Sequence, residues 1–519
     1  MCPDLPLGWD TEFKLLGIEF DNKLLRMERN YTTKVEEVKK LLNSWLYRAL
    51  TPYGKITVIK SLALSKLSHA ALVIPSLNIK RIRELESIFF RFLWSNKPDV
   101  VARESTKLKE KAGGLGLVDV GDFWRAFKFS WIRRLIKTDA FWPLILESHI
   151  TKLTGKESSV RDILEFGTSK FGDLSRVIKN PFWSEVFATV KIVLQGALCA
   201  SPEKLLLTPL WENPNITRNN KPVPATSFSS LAPHILIIAH LFKPGTSNLM
   251  SKQALEETYG LMMDEESYVE LRYIVNTAFN KINMKPENVP TVFLPMQTLL
   301  VNVANLTVKG CNRYYDLLRK AKPFKNLLEG RHTKWHEELG IRYSDSFWSK
   351  TYQALPLIKY DNKLKWMQFQ IVRNCQFTNY RVNKFKPQIS PLCTYCQGEF
   401  EILSHLYFLC PVTTTFLKQV KEFLQELGVE ISLNISTILF GNKKEKFDSI
   451  DNQIILWLKS FIWTNKFNSS RLLLSVFKEV FKNRLNEVKE IANSYENCSN
   501  IFKCWAPIYT KLCSDDGDR

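Results

Sequence analysis

The residues LCTYCQGEFEILSHLYFLCP, from Leu392 to Pro411, hold the pattern that decides the local fold. Three cysteines and a histidine recur in it as C-x2-C-x8-H-x4-C; they are Cys393, Cys396, His405 and Cys410. The two-residue gap lets one tight turn direct two thiolates at a single ion, and the longer loop returns an imidazole and a third thiolate to close a tetrahedron. The spacing therefore predicts Zn²⁺ as a cofactor; the alternative is four unrelated core residues.

A Cys3His set leaves no open coordination position, so the predicted zinc is structural and stabilises a small zinc knuckle. Leu403, Leu406 and Phe408 lie between the ligands and can form an apolar cap. Such a cap is needed because a module this short has no core of its own.

A zinc deaminase is an enzymatic alternative, since such enzymes carry an H-x-E motif followed by P-C-x-x-C. The chain offers His336-Glu337-Glu338 and then Pro391-Leu392-Cys393, in which the proline is displaced by one residue. His405 and Cys410 would have no role in that site. We therefore regard a deaminase as the remote alternative.

The segment from Lys363 to Lys386, directly before the cysteines, is basic and contains no acidic residue. Its cations are Lys363, Lys365, Arg373, Arg381, Lys384 and Lys386. Its aromatic residues are Trp366, Phe369, Phe377, Tyr380 and Phe385. Cations can hold a phosphate backbone while exposed rings stack on unpaired bases, so we predict nucleic-acid contacts for these cations and for Tyr380. A packed core is the alternative for the aromatic residues, and their spacing slightly favours it.

The whole chain is also basic, with 72 Lys and Arg against 52 Asp and Glu in 519 residues and a formal net charge of +20. Such an excess favours a polyanionic partner, RNA or DNA, although a merely basic soluble protein is the alternative. Ten cysteines in so long a chain do not indicate a disulfide scaffold.

The N-terminal residues MCPDLPLGWDTEF show neither the basic nor the apolar region of a secretory signal. No uninterrupted apolar run reaches the roughly 18 residues that a membrane span requires. The sequence thus predicts a protein of the cytoplasm or nucleus that is not secreted and has no membrane partner.

Helical spacing of apolar residues dominates the chain after a strand-like stretch at residues 13–20. A helix after Pro52 places Lys55, Lys60 and Lys66 off its apolar stripe, where they are candidates for phosphate contacts. The glycine-rich residues 111–117 lack the Lys-Ser/Thr ending of a P-loop, so no nucleotide site is predicted there. The predicted fold is mainly α: a multi-domain helical protein with a short N-terminal β element and a small CCHC zinc knuckle.

Several stretches, taken together, resemble the C-terminal portion of LINE-type (non-LTR) retrotransposon reverse transcriptase polyproteins. Around the cysteines they are Asn379-Tyr380-Arg381, Leu392-Cys393-Thr394-Tyr395-Cys396, Glu401, His405-Leu406 and Cys410-Pro411. Nearer the N-terminus they are residues 13–18, Trp45, Leu50, Gly54-Lys55, Lys60-Ser61-Leu62, Pro75 and residues 113–117. Weaker matches are residues 209–213, 259–261 and 461–466.

The resemblance implies a primer-grip strand, thumb-like helices and a zinc-knuckle domain that bind RNA or an RNA–DNA duplex. A further partner that it implies is the polymerase part of the same element. The family's two metal-binding aspartates precede the primer grip, whereas the chain's adjacent pair is Asp515-Asp516, near its end. Two-metal nucleotidyl transfer needs those carboxylates, so we expect no polymerase activity from this chain alone. The alternatives are a domesticated scaffold or interaction protein of the host and the product of a decaying reading frame.

The sequence divides into six predicted segments. They are 1–77, primer-grip strand and thumb-like helices; 78–137, connecting helices and the glycine-rich turn; 138–340, a helical middle region; 341–390, a basic helical segment; 391–411, the zinc knuckle; and 412–519, C-terminal helices.

Overall fold

The structure is a computed structural model in which helices account for most of the described residues. It describes residues 12–21, 27–75, 79–137, 140–157, 159–160, 163, 174–198, 206, 210–211, 216–219, 221–232, 234, 237–281, 310–321, 328–358, 361–442, 449–467, 471–494 and 502–514. The predicted mainly helical fold with a short N-terminal β element is confirmed. Asp515-Asp516 and most of the weaker match at 209–213 lie outside the described residues.

Most of the described elements are helices. Up to residue 200 they are β1 (Glu12–Leu15), β2 (Ile18–Asp21), α1 (Glu28–Leu46), α2 (Pro52–Val73), α3 (Ile79–Leu93), α4 (Arg103–Thr106), α5 (Val120–Lys137), α6 (Trp142–Thr154), α7 (Leu174–Val177) and α8 (Pro181–Leu198). The next are β3 (Thr217–Arg218), β4 (Lys221–Pro222), α9 (Lys252–Tyr259), α10 (Glu265–Lys281), α11 (Asn312–Ala321), α12 (Glu329–Leu339) and α13 (Asp345–Ala354). The last are α14 (Asn362–Val372), α15 (Asn379–Asn383), α16 (Pro411–Glu426), α17 (Ile435–Phe440), α18 (Ile450–Phe467), α19 (Leu474–Ser494) and α20 (Ala506–Ser514).

The chain forms two compact units, and each unit is assembled from three separated segments. Unit 1 comprises residues 1–41, 62–88 and 119–325; unit 2 comprises residues 42–61, 89–118 and 326–519. Helices α1, α2 and α3 each contribute residues to both units.

The N-terminal β element is a hairpin rather than the single strand that its apolar pattern predicts. Strands β1 and β2 pair antiparallel, with Phe13 opposite Phe20 and Leu15 opposite Ile18. The turn between them is made by Leu16 and Gly17, which have φ angles of +48° and +81°. Positive φ at both residues of a two-residue loop matches the twist of the strands, and glycine adopts it without a steric penalty.

The core of unit 1 is built on α5, α8 and α11, which pack against one another. Phe129, Phe187 and Tyr314 are fully or almost fully buried there. Arg319 lies within 3.3 Å of carboxylate oxygens of both Asp119 and Asp122, which ties α11 to the start of α5. A second apolar cluster in the same unit gathers residues between 206 and 279.

Helix α2 is the one helix among the described residues that is long and apolar enough to cross a membrane by length and composition. It contains a π-helical turn at Ile59–Ala63, and 44% of its most apolar window is buried inside the protein. The core helix of a soluble protein meets the same criterion. The feature is therefore weak evidence for a membrane span.

Helix α14 lies at the centre of unit 2 and packs against α2, α17 and α18. Its buried face includes Phe369 and Ile371. Gln368 is also buried; it donates to the carbonyl of Leu439 at 3.0 Å and accepts from Lys459. These polar contacts satisfy groups that would otherwise cost free energy in the interior. They hold the basic segment in one orientation on the C-terminal helices.

The glycine-rich turn folds back on the segment before it. Gly114 N donates to Lys109 O at 3.1 Å, and Gly116 N donates to Leu108 O at 2.8 Å. A Cβ atom placed on Gly114 would lie 2.1 Å from the carbonyl oxygen of Leu108. This close backbone approach requires a residue without a side chain and explains the glycine in structural terms.

Changing Gly114 to Ala is expected to lower the free energy of unfolding by about 2–4 kcal/mol, because the clash is with backbone that cannot rotate away. Gly54→Ala is the matched control: its Cβ would meet only ordinary contacts with Leu50, at 3.5 Å. Within helix α2, alanine is expected to be neutral or to stabilise by up to about 1 kcal/mol. Urea unfolding followed by circular dichroism measures both. Equal stability of the two variants would contradict the close approach.

Candidate metal centre and adjoining basic segment

The first two cysteines lie in a short hairpin. Leu392 and Phe400 form an isolated antiparallel bridge, and Cys393 N donates to Glu399 O at 2.8 Å. Gln397 N donates to Cys393 O at 2.9 Å, with Gln397 in the left-handed region at φ +55°. The turn thus closes directly after Cys396 and presents both thiols on the same side.

The other two candidate ligands come from the segment that leads into α16. His405 begins a π-helical turn that ends at Leu409, and Cys410 N donates to His405 O at 2.9 Å. Pro411 follows as the first residue of α16, where its lack of an N–H carries no penalty. Cys410 is therefore the N-cap residue of a sixteen-residue helix.

The four side chains meet in space. Cys396 Sγ lies 3.2 Å from His405 Nε2, and Cys393 Sγ lies 3.9 Å from Cys410 Sγ. All four potential ligand atoms are within 4.8 Å of one another. Ligands at ordinary zinc–sulfur and zinc–nitrogen distances in a tetrahedron are separated by roughly 3.5–3.8 Å. The predicted cluster is thus brought together, and it could hold one metal ion.

The thiols of Cys393 and Cys410 share a hydrogen bond that shifts their pKa values in opposite directions. The bond from Cys393 lowers the pKa of Cys410 to about 5, and the N–H groups of Thr413 and Val412 at the start of α16 add to this. The same bond, together with burial, raises the pKa of Cys393. A thiolate is the ligand form of cysteine, so the helix start favours the charge that a cation needs.

Glu401 is a fully buried carboxylate beside the cluster. Its Oε1 accepts from Asn379 N at 2.7 Å and is ion-paired with Lys466 of α18. Its Oε2 accepts from both the N–H and the hydroxyl of Thr394, at 2.9 and 2.8 Å. Since Thr394 directly follows Cys393, the carboxylate fixes the loop that carries the first two cysteines. Tyr395 adds a bond to Ile462 O at 2.5 Å.

Glu338 has a second positioning role, which the sequence did not reveal. Its Oε1 accepts from Ser404 N at 3.1 Å and from Ser404 Oγ at 2.7 Å, directly before His405. Its Oε2 accepts from Asn374 Nδ2 at 2.8 Å. The separation in sequence, 66 residues, explains why no local pattern indicated it.

The deaminase alternative placed His336 and Glu338 at a metal. His336 instead accepts from Tyr343 N at 3.2 Å and lies outside the metal-binding group found among the described residues. His405 and Cys410 complete that group. The geometry therefore does not match the deaminase arrangement.

The basic segment is only partly a surface. Lys363, Lys384 and Lys386 are exposed, and the Nζ of Lys384 lies 4.5 Å from the centre of the Tyr380 ring. Lys365 is engaged by Glu110 Oε2 at 2.7 Å, which offsets its charge. The exposed part is therefore concentrated around α15.

Arg381 and Arg373 are not fully exposed surface residues. Arg381 is half-buried; its Nη1 donates to Asn374 O at 3.3 Å and its guanidinium lies 5.1 Å from the centre of the Phe377 ring. Arg373 is only 2% exposed. The prediction that Arg373 belongs to an open phosphate-binding surface is therefore corrected: α14 turns it into the interior.

The three lysines of α2 also differ from one another. Lys60 and Lys66 are exposed, and Lys66 lies 3.5 Å from Glu37. Lys55 is 4% exposed and donates to Phe92 O at 3.0 Å and to Ser95 Oγ at 2.5 Å. Its ammonium group thus donates its hydrogen bonds at the end of α3. The predicted phosphate contact of Lys55 is therefore corrected as well.

The aromatic residues of the segment separate into two groups. Phe369 is buried and Trp366 stacks on it with ring centres 5.4 Å apart, as the core alternative expects. Phe377 and Phe385 are 39% and 57% exposed and pack edge to face, with ring centres 6.1 Å apart. Tyr380 is half-buried and lies 5.3 Å from the exposed ring of Phe400. Four rings therefore surround α15 within reach of solvent.

No family model matches this chain.

The cluster is expected to bind one metal ion per chain. Replacing Cys393 and Cys410 together by Ser removes two of three thiolates, so metal should be lost from the purified protein. Cys504→Ser is the control, since Cys504 is exposed and outside the cluster. Elemental analysis by mass spectrometry measures the metal-to-protein ratio. An unchanged ratio in the double variant would show that the metal binds elsewhere.

Changing Glu401 to Gln is expected to weaken metal binding about tenfold or more, because the ion pair with Lys466 is lost and an amide donor faces the N–H of Thr394. Glu399→Gln is the matched control in the same hairpin, where the side chain is exposed. Competition with a chromogenic chelator measures the affinity. Equal affinities of the two variants would exclude a positioning role for Glu401.

Proposed function

We propose that this chain binds nucleic acid, RNA or an RNA–DNA duplex, through the surface around α15, and that a structural zinc ion holds that surface in place. The observation that carries the proposal is the position of the metal cluster, whose hairpin packs directly on α15, the helix that the exposed cations and rings adjoin. Tyr380 contacts Phe400 of the hairpin, and Asn379 Nδ2 donates to Leu392 O at 2.9 Å.

Zinc is the metal that the donor set favours. Three thiolates and one imidazole are soft and borderline ligands, and tetrahedral sites of three sulfur atoms and one nitrogen atom are typical of structural zinc. The site fits such an ion in the spacing of its atoms and in the thiolate preference of Cys410. With all four positions filled by protein, the ion would supply folding free energy and no reaction chemistry.

The side chains of this surface favour binding to a single strand of nucleic acid or to an accessible strand end. Lys384 and Lys386 are exposed and contribute charge without specificity, which is how phosphate backbones are held. Phe377, Phe385 and Phe400 expose ring area that unpaired bases can stack on. Exposed aromatic rings next to lysines are unusual for a surface that contacts only water.

The proposed origin is the C-terminal region of a LINE-type reverse transcriptase. Four of the residues that carry that resemblance, Asn379, Thr394, Glu401 and Lys466, form one buried network of hydrogen bonds and an ion pair. Lys466 thus joins three residues of the 379–401 stretch in a single structural task. This agreement supports the proposal, since a chance match would not be expected to converge on one site.

Changing Lys384 and Lys386 to Ala is expected to weaken binding to all sequences about equally and to reduce the slope of log affinity against log salt. The reduction should be about one to two contacts, at roughly 0.7 per contact for a single strand. Lys39→Ala with Lys40→Ala is the charge-matched control, on the exposed face of α1. Fluorescence anisotropy with a labelled single-stranded RNA over a series of salt concentrations measures both.

A second variant tests stacking: Tyr380→Ala should lose roughly 1–3 kcal/mol of binding free energy while the protein keeps its metal. If the double lysine variant and the control bind alike with equal salt slopes, the surface around α15 is not the binding site. The exposed lysines of α2, Lys60 and Lys66, would then be tested. If wild-type protein binds no nucleic acid at all, a role as an interaction protein becomes the better proposal.

A further inference from the structure

Arg373, at the end of α14, is a buried cation only some of whose donors are satisfied by the described residues. It is 2% exposed and hydrogen-bonds to Tyr352, but neither its Nε nor its Nη1 has a partner among them. Gln376, three residues later, is equally buried; its Oε1 accepts from Tyr407 at 2.9 Å, but its Nε2 also has no partner there. Unpaired donors of this kind are rare inside proteins and call for an explanation.

Among the described residues, the titratable groups that act on Arg373 carry no negative charge. Burial raises the pKa of Tyr352 to about 12 and raises the pKa of the Cys375 thiol, so both are neutral at pH 7. His332, which shares a 3.0 Å hydrogen bond with Tyr352, is neutral too, because burial lowers its pKa to about 4. The described titratable neighbours of Arg373 therefore offer no counter-charge.

Two further arginines add positive charge to the same place. Arg331 acts electrostatically on both Arg373 and Arg381, and all three act on the Cys375 thiol that lies among them. Arg331 and Arg381 are half-buried, whereas Arg373 is only 2% exposed. Arg381 donates one hydrogen bond to Asn374 O, which fixes the position of its guanidinium group.

Such an arrangement is unfavourable without an anion. A guanidinium cannot lose its proton in a protein, and an isolated buried charge costs several kcal/mol even after relaxation. Like charges nearby increase that cost. Planar guanidinium forks match the oxygens of phosphate in pairs, so neighbouring guanidinium groups suit a tetrahedral oxyanion.

We propose that Arg331, Arg373 and Arg381 form an oxyanion site that binds one phosphate group. The occupant is either free phosphate or a phosphate of a nucleic-acid strand; both present the same oxygens. Arg381 belongs to α15, but the site does not depend on the exposed lysines and aromatic rings around that helix, because its recognition chemistry is complete in these three side chains.

The test compares wild-type protein with Arg373→Met in sodium phosphate and in sodium chloride of equal ionic strength and pH. For wild type, phosphate at 100 times its Kd should raise the folded-to-unfolded ratio about 100-fold, seen as a higher midpoint of thermal unfolding. Arg373→Met should lose this response and be at least as stable as wild type in chloride, because the unpaired charge is gone. An arginine with a purely structural role would show the opposite: the variant would unfold earlier in chloride.

Arg342→Met is the control, since Arg342 is an exposed cation of the same unit; it should keep the full phosphate response. Arg331→Met provides a second variant on the half-buried side and should reduce the response. Wild-type protein that unfolds at the same temperature in both salts, or Arg373→Met that retains the response, would overturn the proposal.

The source of the phosphate is identified by ³¹P NMR of inorganic phosphate with wild-type protein. The line should broaden on binding and stay sharp with Arg373→Met. A short single-stranded RNA that restores the sharp line assigns the site to a strand phosphate; a line that stays broad assigns it to free phosphate. Since phosphate alone is the probe, loss of RNA binding through the α15 surface would leave this result unchanged.

Discussion

The buried carboxylate of Glu401 is the constraint on which the metal centre and its surroundings depend. A charge without solvent is tolerated only when its oxygens are satisfied, and here Asn379, Thr394 and Lys466 satisfy them. Each partner belongs to a different element: the start of α15, the cysteine hairpin and the end of α18. One side chain thus fixes the relative positions of the ligand loop, the exposed aromatic rings and the C-terminal helices.

The metal cluster was predictable because its information is local. The spacing of Cys393, Cys396, His405 and Cys410 predicts a tight turn and a loop that brings the last two ligands back to the same ion. No distant residue is needed for that prediction. The helical fold was predictable for a similar reason, since periodicity of apolar residues is a property of each segment. The hairpin at the N-terminus was missed because Leu16 and Gly17, both at positive φ, reverse a stretch whose apolar pattern is that of a continuous strand.

Burial of individual cations was not predictable. Lys55 lies off the apolar stripe of its helix, as a surface residue would, and Arg373 directly follows the last residue of α14, yet both are interior. Lys55 is buried by its contact with the end of α3, which a single helix pattern cannot contain. The contacts of Glu338 and Glu110 could not be predicted for the same reason, because their partners lie far away in the sequence. Net charge consequently overstates the cationic surface, because part of it is neutralised or enclosed.

The discontinuous make-up of the two units has a consequence for how the protein is synthesised. Residues 42–61 and 89–118 belong to unit 2, but the rest of that unit begins only at residue 326. At ribosomal rates of roughly 5–20 residues per second, roughly 10–55 s pass between emergence of these early segments and that of their partners. Apolar side chains such as Phe89 and Phe92 are without their final neighbours during that interval. Nascent chains of this protein should therefore depend on chaperones that shield such segments until translation is nearly complete.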